Sequence, residues 1–232
     1  MHFLSTIIIA TLLLFVQVTG SYGIAIILFA VLLKLLLLPL TLYGMKWQEK
    51  FQASFQTAKD QIANLETSDA AKRDDEILNI YQNHGINFTN QCKALLPLLI
   101  QLPLLVAFYK TMIGWEILAE QSFLWINNLR EVDRIMSLGF SLPWLGDSLN
   151  LLPFTLFFVN ASEVIFFRDE TTSIKSFSLP VIFLFLFYPF PSSCMIFWIT
   201  LNVVHVPERW YYVRFRSSSA SSASSASSTS GS

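Results

Sequence analysis

A single lysine, Lys34, lies in a long apolar stretch that runs from Ser21 to Thr41. About 20 apolar residues are enough to cross a bilayer as a helix. A lysine at the centre of such a helix costs roughly 2.5 to 3.5 kcal/mol on insertion scales. Lys34 is 13 residues from Ser21 and seven from Thr41 at about 1.5 Å each, so its ammonium cannot easily extend to water. A lysine at this depth predicts an electrostatic role: a fixed positive charge inside the membrane. Polar groups or water must lie beside the ammonium to solvate it.

Other polar residues interrupt the later apolar stretches, and they leave two interpretations of Lys34 open. Gln101, Asn160 and Thr200 carry amides or a hydroxyl, which in a membrane usually hydrogen-bond across helices. Glu163 carries a carboxylate that could pair with Lys34 inside a helix bundle. Lys34 is therefore either a structural partner of Glu163 or a cation that serves a wet cavity.

The sequence has none of the residue patterns expected for an enzyme or a metal site. It lacks a phosphate-binding loop, a nucleophile elbow and a zinc-binding HExxH motif. The histidines, at positions 2, 84 and 205, are far apart in sequence, and no metal-ligand spacing occurs. Cys92 and Cys194 are predicted to be free thiols. We expect no catalysis, cofactor or metal.

The composition predicts a membrane protein. Of 232 residues, 53% are hydrophobic and only 13% are charged, whereas about 25% are charged in a typical soluble domain. The net charge of −1 does not suggest a nucleic-acid partner.

The predicted fold class is an all-α polytopic membrane protein with five transmembrane helices and a cytoplasmic antiparallel helical hairpin. The hairpin is predicted at 45–92, because apolar residues recur at threes and fours from Trp47 to Leu65 and again from Ala70 to His84. Gly85 is placed as the residue that ends the second hairpin helix. The predicted spans are 22–43, 94–113, 151–167, 177–188 and 192–206.

Three segments make up the predicted domain organisation. Residues 1–20 are apolar and admit three interpretations: an interfacial helix, a cleaved signal or an additional span. Residues 21–212 form the core. Residues 213–232 are rich in Ser and Ala and predicted to be disordered, because they cannot bury an apolar surface.

The distribution of Lys and Arg predicts the orientation in the membrane, since these residues concentrate on the cytoplasmic side. With five spans, the hairpin, the turn at 168–175 and the C-terminus carry most of the basic residues. The opposite side receives only Arg130 and Arg134, among five acidic residues. The C-terminus is thus expected in the cytoplasm and the loop around Trp125 outside.

Four motifs follow one another along the chain. They are Lys34 with Pro39-Leu40-Thr41, Gly85-Ile86-Asn87 with Cys92 and Leu99–Pro103, Phe123–Leu129 with Asp133, and Phe190–Ser193 with Phe197–Thr200 and Asn202. In order and spacing they resemble those of the YidC and mitochondrial Oxa family of membrane protein insertases. The chain departs from that pattern at Lys34, where Arg is usual, at Ser193, where Gly is usual, and at Pro207. It therefore resembles a short, divergent member.

The resemblance implies a non-hydrolytic insertase and chaperone. Such a protein moves short polar segments of nascent membrane proteins through a hydrophilic groove and releases their spans laterally into the bilayer. The implied partners are nascent membrane proteins and lipid, with a ribosome or translocon as further candidates, and the implied location is the inner membrane. The residues expected to line the groove are Lys34, Gln101, Asn160, Trp198 and Thr200.

A small transporter or channel subunit is the alternative, with Lys34 as an intramembrane counter-charge. Inverted repeats would favour it, and the sequence has no internal repeat. An intramembrane enzyme is a weaker alternative, because the predicted spans lack a cluster of His, Asp or Cys.

Overall fold

The computed structural model describes residues 2–65, 70–94, 96–142, 146–167 and 177–229. The two predicted turns, 66–69 and 168–175, lie outside these residues. The described chain forms two compact units, residues 1–35 with 105–232 and residues 36–104. The helices and strands are α1 (His2–Thr19), α2 (Tyr22–Ala63), α3 (Ala70–Asn83), α4 (Phe88–Ala94), α5 (Leu96–Gly114), a short 3-10 helix (Glu116–Glu120), β1 (Met136–Leu142), β2 (Gly146–Leu149), α6 (Leu151–Phe166), α7 (Ser178–Phe187) and α8 (Ser192–Thr229).

The fold is mostly helical, as predicted, but it is not all-α. Strands β1 and β2 form a two-stranded antiparallel sheet in which Met136 is paired with Leu149 and Ser137 with Ser148. The sequence predicts a mixed loop from Gly114 to Leu149 and no strand, so the all-α part of the fold class is corrected. Two glycines with positive φ, Gly139 at 72° and Gly146 at 77°, supply backbone conformations that other residues rarely adopt.

The first predicted span and the first hairpin helix form one continuous helix, α2, which passes through Pro39. A proline within a helix removes one backbone hydrogen bond. The leucines on either side are strong helix formers, so the helix does not end there. Among the described residues, α2 is the one helix that is both long and apolar enough to cross a membrane. Helices also occupy the other four predicted spans, and the five-span arrangement stays a prediction.

Three aromatic rings from three helices stack at the centre of the first unit. Phe108 of α5 and Phe197 of α8 are 4.1 Å apart between ring centroids, and Phe29 of α2 lies 5.8 Å from Phe108. Helix α1 contributes Ile8 and Leu12 to the same apolar core. The apolar N-terminal segment therefore packs against the helix bundle. Whether this segment is cleaved stays a prediction.

The loop that follows α5 is hydrogen-bonded to the first residues of two helices, α6 and α8. The buried carboxylate of Asp133 accepts hydrogen bonds from the backbone N–H groups of Leu151 and Leu152, at 2.7 and 3.1 Å, and from the indole of Trp125 at 3.2 Å. Asn150, which precedes α6, makes no side-chain cap of its own. Asp133 therefore caps α6 from a distance, where a negative charge also suits the helix dipole.

The start of α8 is held by the same loop. The N–H of Ser192 donates to the carbonyl of Glu131 at 2.7 Å, and the N–H of Ser193 donates to that of Leu129 at 3.0 Å. The Ser192 hydroxyl also donates to the Glu131 carbonyl. These bonds satisfy N–H groups that have no partner within a helix.

The second unit contains the predicted hairpin. Phe55 of α2 stacks on Tyr81 of α3, with their ring centroids 6.3 Å apart, and the side chains of Gln61 and His84 are hydrogen-bonded at 3.0 Å. The Ile86 N–H donates to the Tyr81 carbonyl, and Gly85 has a φ of 67°. This is the predicted glycine-dependent end of α3. The antiparallel arrangement of the hairpin stays a prediction.

Helix α8 extends to Thr229, into the segment 213–232 for which the composition predicts disorder. Alanine is the strongest helix former and serine is tolerated in helices, so local propensity permits this extension. A segment of Ser and Ala offers almost no apolar face to bury, and its disorder in solution stays a prediction.

Candidate functional site

The ammonium of Lys34 on α2 faces a carboxylate on α8. Its Nζ lies 3.1 Å from Oε2 of Glu208, and the two side chains are only 9% and 7% exposed. A charge removed from water to this extent needs an opposite charge nearby. The structure therefore gives Lys34 a partner, but this partner is Glu208 and not Glu163.

His205 lies beside this pair, one helical turn before Glu208. Its Nδ1 is 3.4 Å from Nζ of Lys34 and 3.3 Å from Oε2 of Glu208. An imidazole nitrogen accepts a hydrogen bond only without a proton and donates only with one. The two contacts of Nδ1 are therefore alternatives, and the tautomer of His205 decides which of them forms.

Glu163 on α6 is paired with Arg209 on α8. The guanidinium NH1 lies 2.8 Å from Oε1 of Glu163, and Nε2 of His205 lies 3.7 Å from the same oxygen. The Arg209 guanidinium also stacks over the Phe167 ring at 4.5 Å. These contacts join α6 to α8 immediately after Pro207.

Together these side chains form a charge-balanced network across α2, α6 and α8. It contains two cations, Lys34 and Arg209, two carboxylates, Glu208 and Glu163, and the imidazole of His205 between them. We call these five residues the charged cluster. Because the two positive and two negative charges cancel, Lys34 and Glu208 can remain buried, while Arg209 at the edge of the cluster is 40% exposed.

Four buried polar atoms on α6 and α8 have no hydrogen-bond partner among the described residues. They are Nδ2 of Asn160, Oγ of Ser193, Nε1 of Trp198 and Oε1 of Glu208. Asn160 precedes Glu163 by three residues and Trp198 precedes His205 by seven, spacings that place each pair on one face of its helix. An unpartnered buried donor or acceptor costs about 1 to 3 kcal/mol. These atoms are therefore candidates for binding a polar guest.

The remaining contacts of the predicted site residues are those of ordinary packing and of hydrogen bonds within one helix. The Thr200 hydroxyl donates to the carbonyl of Ile196 in its own helix, at 2.7 Å. The Trp198 ring packs in the apolar core, 5.3 Å from the Phe187 ring between centroids. Gln101 is half-buried on α5, within the second compact unit.

Among the described residues, the polar contacts of Lys34 are with Glu208 and His205, neither of which is predicted as a site residue from the sequence. The predicted last span ends at 206, so Glu208 and Arg209 fall in the C-terminal segment beyond it. One signal was present in the sequence. Trp198, His205 and Glu208 are separated by seven and three residues, so they repeat on one helical face if the helix continues past Pro207.

The chain matches a family model and several named relatives. The model of the 60Kd inner membrane protein family matches residues 14–219. The chain is 31% identical over 222 residues to a membrane protein insertase YidC of Endomicrobium trichonymphae, covering 91% of this chain and 40% of the relative. It is 30% identical over 201 residues to a membrane protein insertase YidC of Prosthecochloris aestuarii, covering 83% of this chain and 33% of the relative.

A solved structure has a similar fold. The crystal structure of an active YidC insertase with its first transmembrane domain resolved superposes with a TM-score of 0.57 at 23% identity. The match covers 89% of this chain and 46% of that one. The chain thus spans less than half the length of these relatives. Because the family model covers the greater part of the sequence, the chain belongs to the 60Kd inner membrane protein family and is a membrane protein of the YidC and Oxa type.

Proposed function

We propose that this chain is a membrane protein insertase that moves short polar segments of nascent membrane proteins into or across the bilayer. One observation carries the proposal: a buried lysine charge on an apolar helix, in a chain whose relatives are named as insertases. The activity, substrates and partners are proposals for this chain, because it covers only part of those relatives.

The physical problem that such a protein solves is desolvation. A polar or acidic segment loses several kcal/mol of hydration when it enters hydrocarbon. A hydrophilic groove restores part of that hydration, and a cation within it attracts carboxylates strongly because the local dielectric constant is low. The apolar span of the substrate then moves sideways into lipid. These steps need no covalent chemistry, so we propose a non-hydrolytic mechanism.

The residues proposed to line the groove are those predicted from the sequence. Two of them, Asn160 and Trp198, are supported by buried N–H groups that have no partner among the described residues. Gln101 and Thr200 are proposed from the family resemblance alone. Lys34 is proposed as the cation that receives acidic segments.

We further propose five spans with the 45–92 hairpin and the C-terminus in the cytoplasm, in the inner membrane. The charge distribution along the sequence supports this arrangement. Nascent membrane proteins are the proposed partners, and a ribosome or translocon remains a candidate for the basic hairpin. The transporter alternative is not favoured, because the named relatives are insertases.

The test is insertion by the purified chain in liposomes. The substrate is a single-span protein with a short translocated tail, prepared with an acidic tail and with an uncharged tail. We expect Lys34→Arg to retain insertion of both. The double variant Lys34→Leu with Glu208→Leu removes the cation without stranding a charge. It should reduce insertion of the acidic-tailed substrate roughly tenfold, equal to about 1.4 kcal/mol of lost attraction.

The uncharged-tail substrate is the matched control, and the double variant should insert it as well as the wild type does. Liposomes without the chain give the spontaneous background. Wild-type protein that inserts neither substrate above that background would contradict the proposed function. Equal insertion of the acidic-tailed substrate by the double variant would remove Lys34 from the mechanism.

A further inference from the structure

Glu208 is paired with the ammonium of Lys34, which is the group that an acidic substrate would need to contact. Its Oε2 lies 3.1 Å from Nζ of Lys34, and both groups are buried. The lysine is therefore not a free cation in this conformation. A substrate carboxylate has to exchange with Glu208, and the energy of that exchange sets how strongly the site distinguishes acidic from neutral segments.

The contact between the two residues is incomplete on both sides. Only one oxygen of Glu208 is bonded, because Oε1 is buried without a partner among the described residues. A lysine ammonium has three donors, and among the described residues Glu208 and His205 engage two of them at most. Two carboxylates can thus approach the same ammonium, and a second carboxylate can replace the first without leaving Lys34 uncompensated.

The turn of α8 that carries Glu208 lacks one backbone hydrogen bond of a regular helix. Pro207 has no N–H group, so the helical hydrogen bond to the carbonyl of Val203 cannot form. Arg209 is bound to Glu163 of α6 at 2.8 Å. The Arg209 contact can hold α8 against α6 while the Glu208 side chain leaves Lys34.

We infer that Glu208 is a specificity-determining residue of the site. It acts as a built-in competitor for Lys34 that acidic segments displace and that neutral segments do not. This inference rests on the proposed insertase function for its biological meaning, but the competition itself is a binding property. It predicts that removing the Glu208 carboxylate strengthens binding of acidic segments selectively.

The experiment measures binding to the full chain in lipid nanodiscs. The probes are two peptides, each with an apolar segment of about 20 residues and a short polar tail. The tails are identical except that one contains Asp where the other contains Asn. Glu208→Gln should lower the Kd of the Asp peptide by about tenfold, as expected when a competing occupant is removed from most copies of a site. The Kd of the Asn peptide should remain unchanged.

Two further variants sharpen the result. Glu131→Gln removes an exposed carboxylate in another loop of the same unit and should change neither Kd. Glu208→Asp keeps the charge but shortens the side chain by one methylene, so it should give an intermediate Kd for the Asp peptide. It also tests the inference if Glu208→Gln does not fold. Unchanged or weaker binding of the Asp peptide to both Glu208 variants would overturn the inference.

The insertion assay separates this inference from the proposed function. If Glu208→Gln binds the Asp peptide more tightly but no variant inserts a substrate, the competition exists and the insertase function is wrong. If the wild type inserts substrates and the Glu208 variants show no selective gain in binding, the function stands and the inference fails.

Discussion

The ammonium of Lys34 and the carboxylate of Glu208 are each buried with the other as a partner of opposite charge. For such pairs, replacing both residues with apolar ones is often neutral or stabilising, whereas removing one partner leaves a buried charge. The pair therefore changes the expectation for a single substitution. Replacing an unpaired intramembrane lysine with an apolar residue would stabilise the protein. Lys34 is paired, so the same replacement should destabilise it.

The first prediction concerns this pair and is measured as thermal stability in detergent. Lys34→Leu and Glu208→Leu should each lower the free energy of unfolding by roughly 3 to 5 kcal/mol, because each leaves an unpaired charge. The double variant should unfold near the wild-type temperature, which gives a large coupling energy. A Lys34→Leu protein as stable as the wild type would contradict the observed pairing.

The second prediction concerns Gly23, near the start of α2. The Phe123 ring packs directly on this glycine, so that a Cβ added there would overlap the ring. Gly23→Ala should therefore push the loop containing Phe123 away and lower the unfolding temperature in detergent. Gly114→Ala is the control, because an added Cβ there meets no neighbour within 4 Å. Equal stability of Gly23→Ala and the wild type would show that the loop moves without cost.

Only two of the five residues of the charged cluster, Lys34 and Glu163, are predicted from the sequence, for a physical reason. Lys34 is conspicuous because a cation inside an apolar stretch has to be compensated. Its partners are far along the chain, and His205 is 171 residues away. No local pattern links residues at that separation, and Pro207 suggested a span end one residue before Glu208. The pairing becomes visible only when α2 and α8 are packed together.

At the scale of elements, α6 depends on a residue outside it. Asp133 caps its first N–H groups across a separation of 18 residues along the chain. Asp133→Ala leaves the N–H groups of Leu151 and Leu152 and the indole of Trp125 without this acceptor. We expect a loss of roughly 2 to 3 kcal/mol of unfolding free energy, since each buried unsatisfied donor costs about 1 to 3 kcal/mol. Thermal unfolding in detergent measures the loss.

Two companion variants test whether the charge or only the acceptor matters for α6. Asp133→Asn keeps an oxygen but loses the charge that favours a helix N-terminus, so its effect should be about half as large. Glu131→Ala should be nearly neutral, because its exposed side chain makes only a 3.7 Å pair with Arg134. If Asp133→Ala is as stable as Glu131→Ala, the cap does not contribute.

Helix positions were more predictable than the connections between them. Continuous apolar stretches indicate where α6, α7 and the first part of α8 lie, because a helix is the simplest way to satisfy the backbone there. The β1–β2 sheet was missed, since its short strands depend on two glycines with positive φ and on pairing with each other. Leucines on both sides of Pro39 sustain α2 through this position.

At the scale of the whole molecule, the proposed topology can be tested with an impermeant thiol reagent. Cysteines placed singly at Ser68 and Ser173 should react only from the cytoplasmic side, and a cysteine at Ser122 only from the opposite side. The reason is the concentration of Lys and Arg in the segments predicted to be cytoplasmic. Replacing Cys92 and Cys194 by Ser removes the background labelling of native thiols. Labelling of the cysteines at positions 122 and 173 from the same side would refute the five-span arrangement.

The segments of α8 before and after Pro207 are held very differently, and this should be visible in the backbone dynamics of the helix. Its first N–H groups are fixed by the carbonyls of Glu131 and Leu129, whereas Pro207 breaks the hydrogen-bond ladder near Glu208. Hydrogen–deuterium exchange reports local opening of such ladders. Amides near Phe197 should exchange far more slowly than those following Pro207. Helix α8 would then stay closed before Pro207 and open more readily after it, next to the carboxylate that is paired with Lys34.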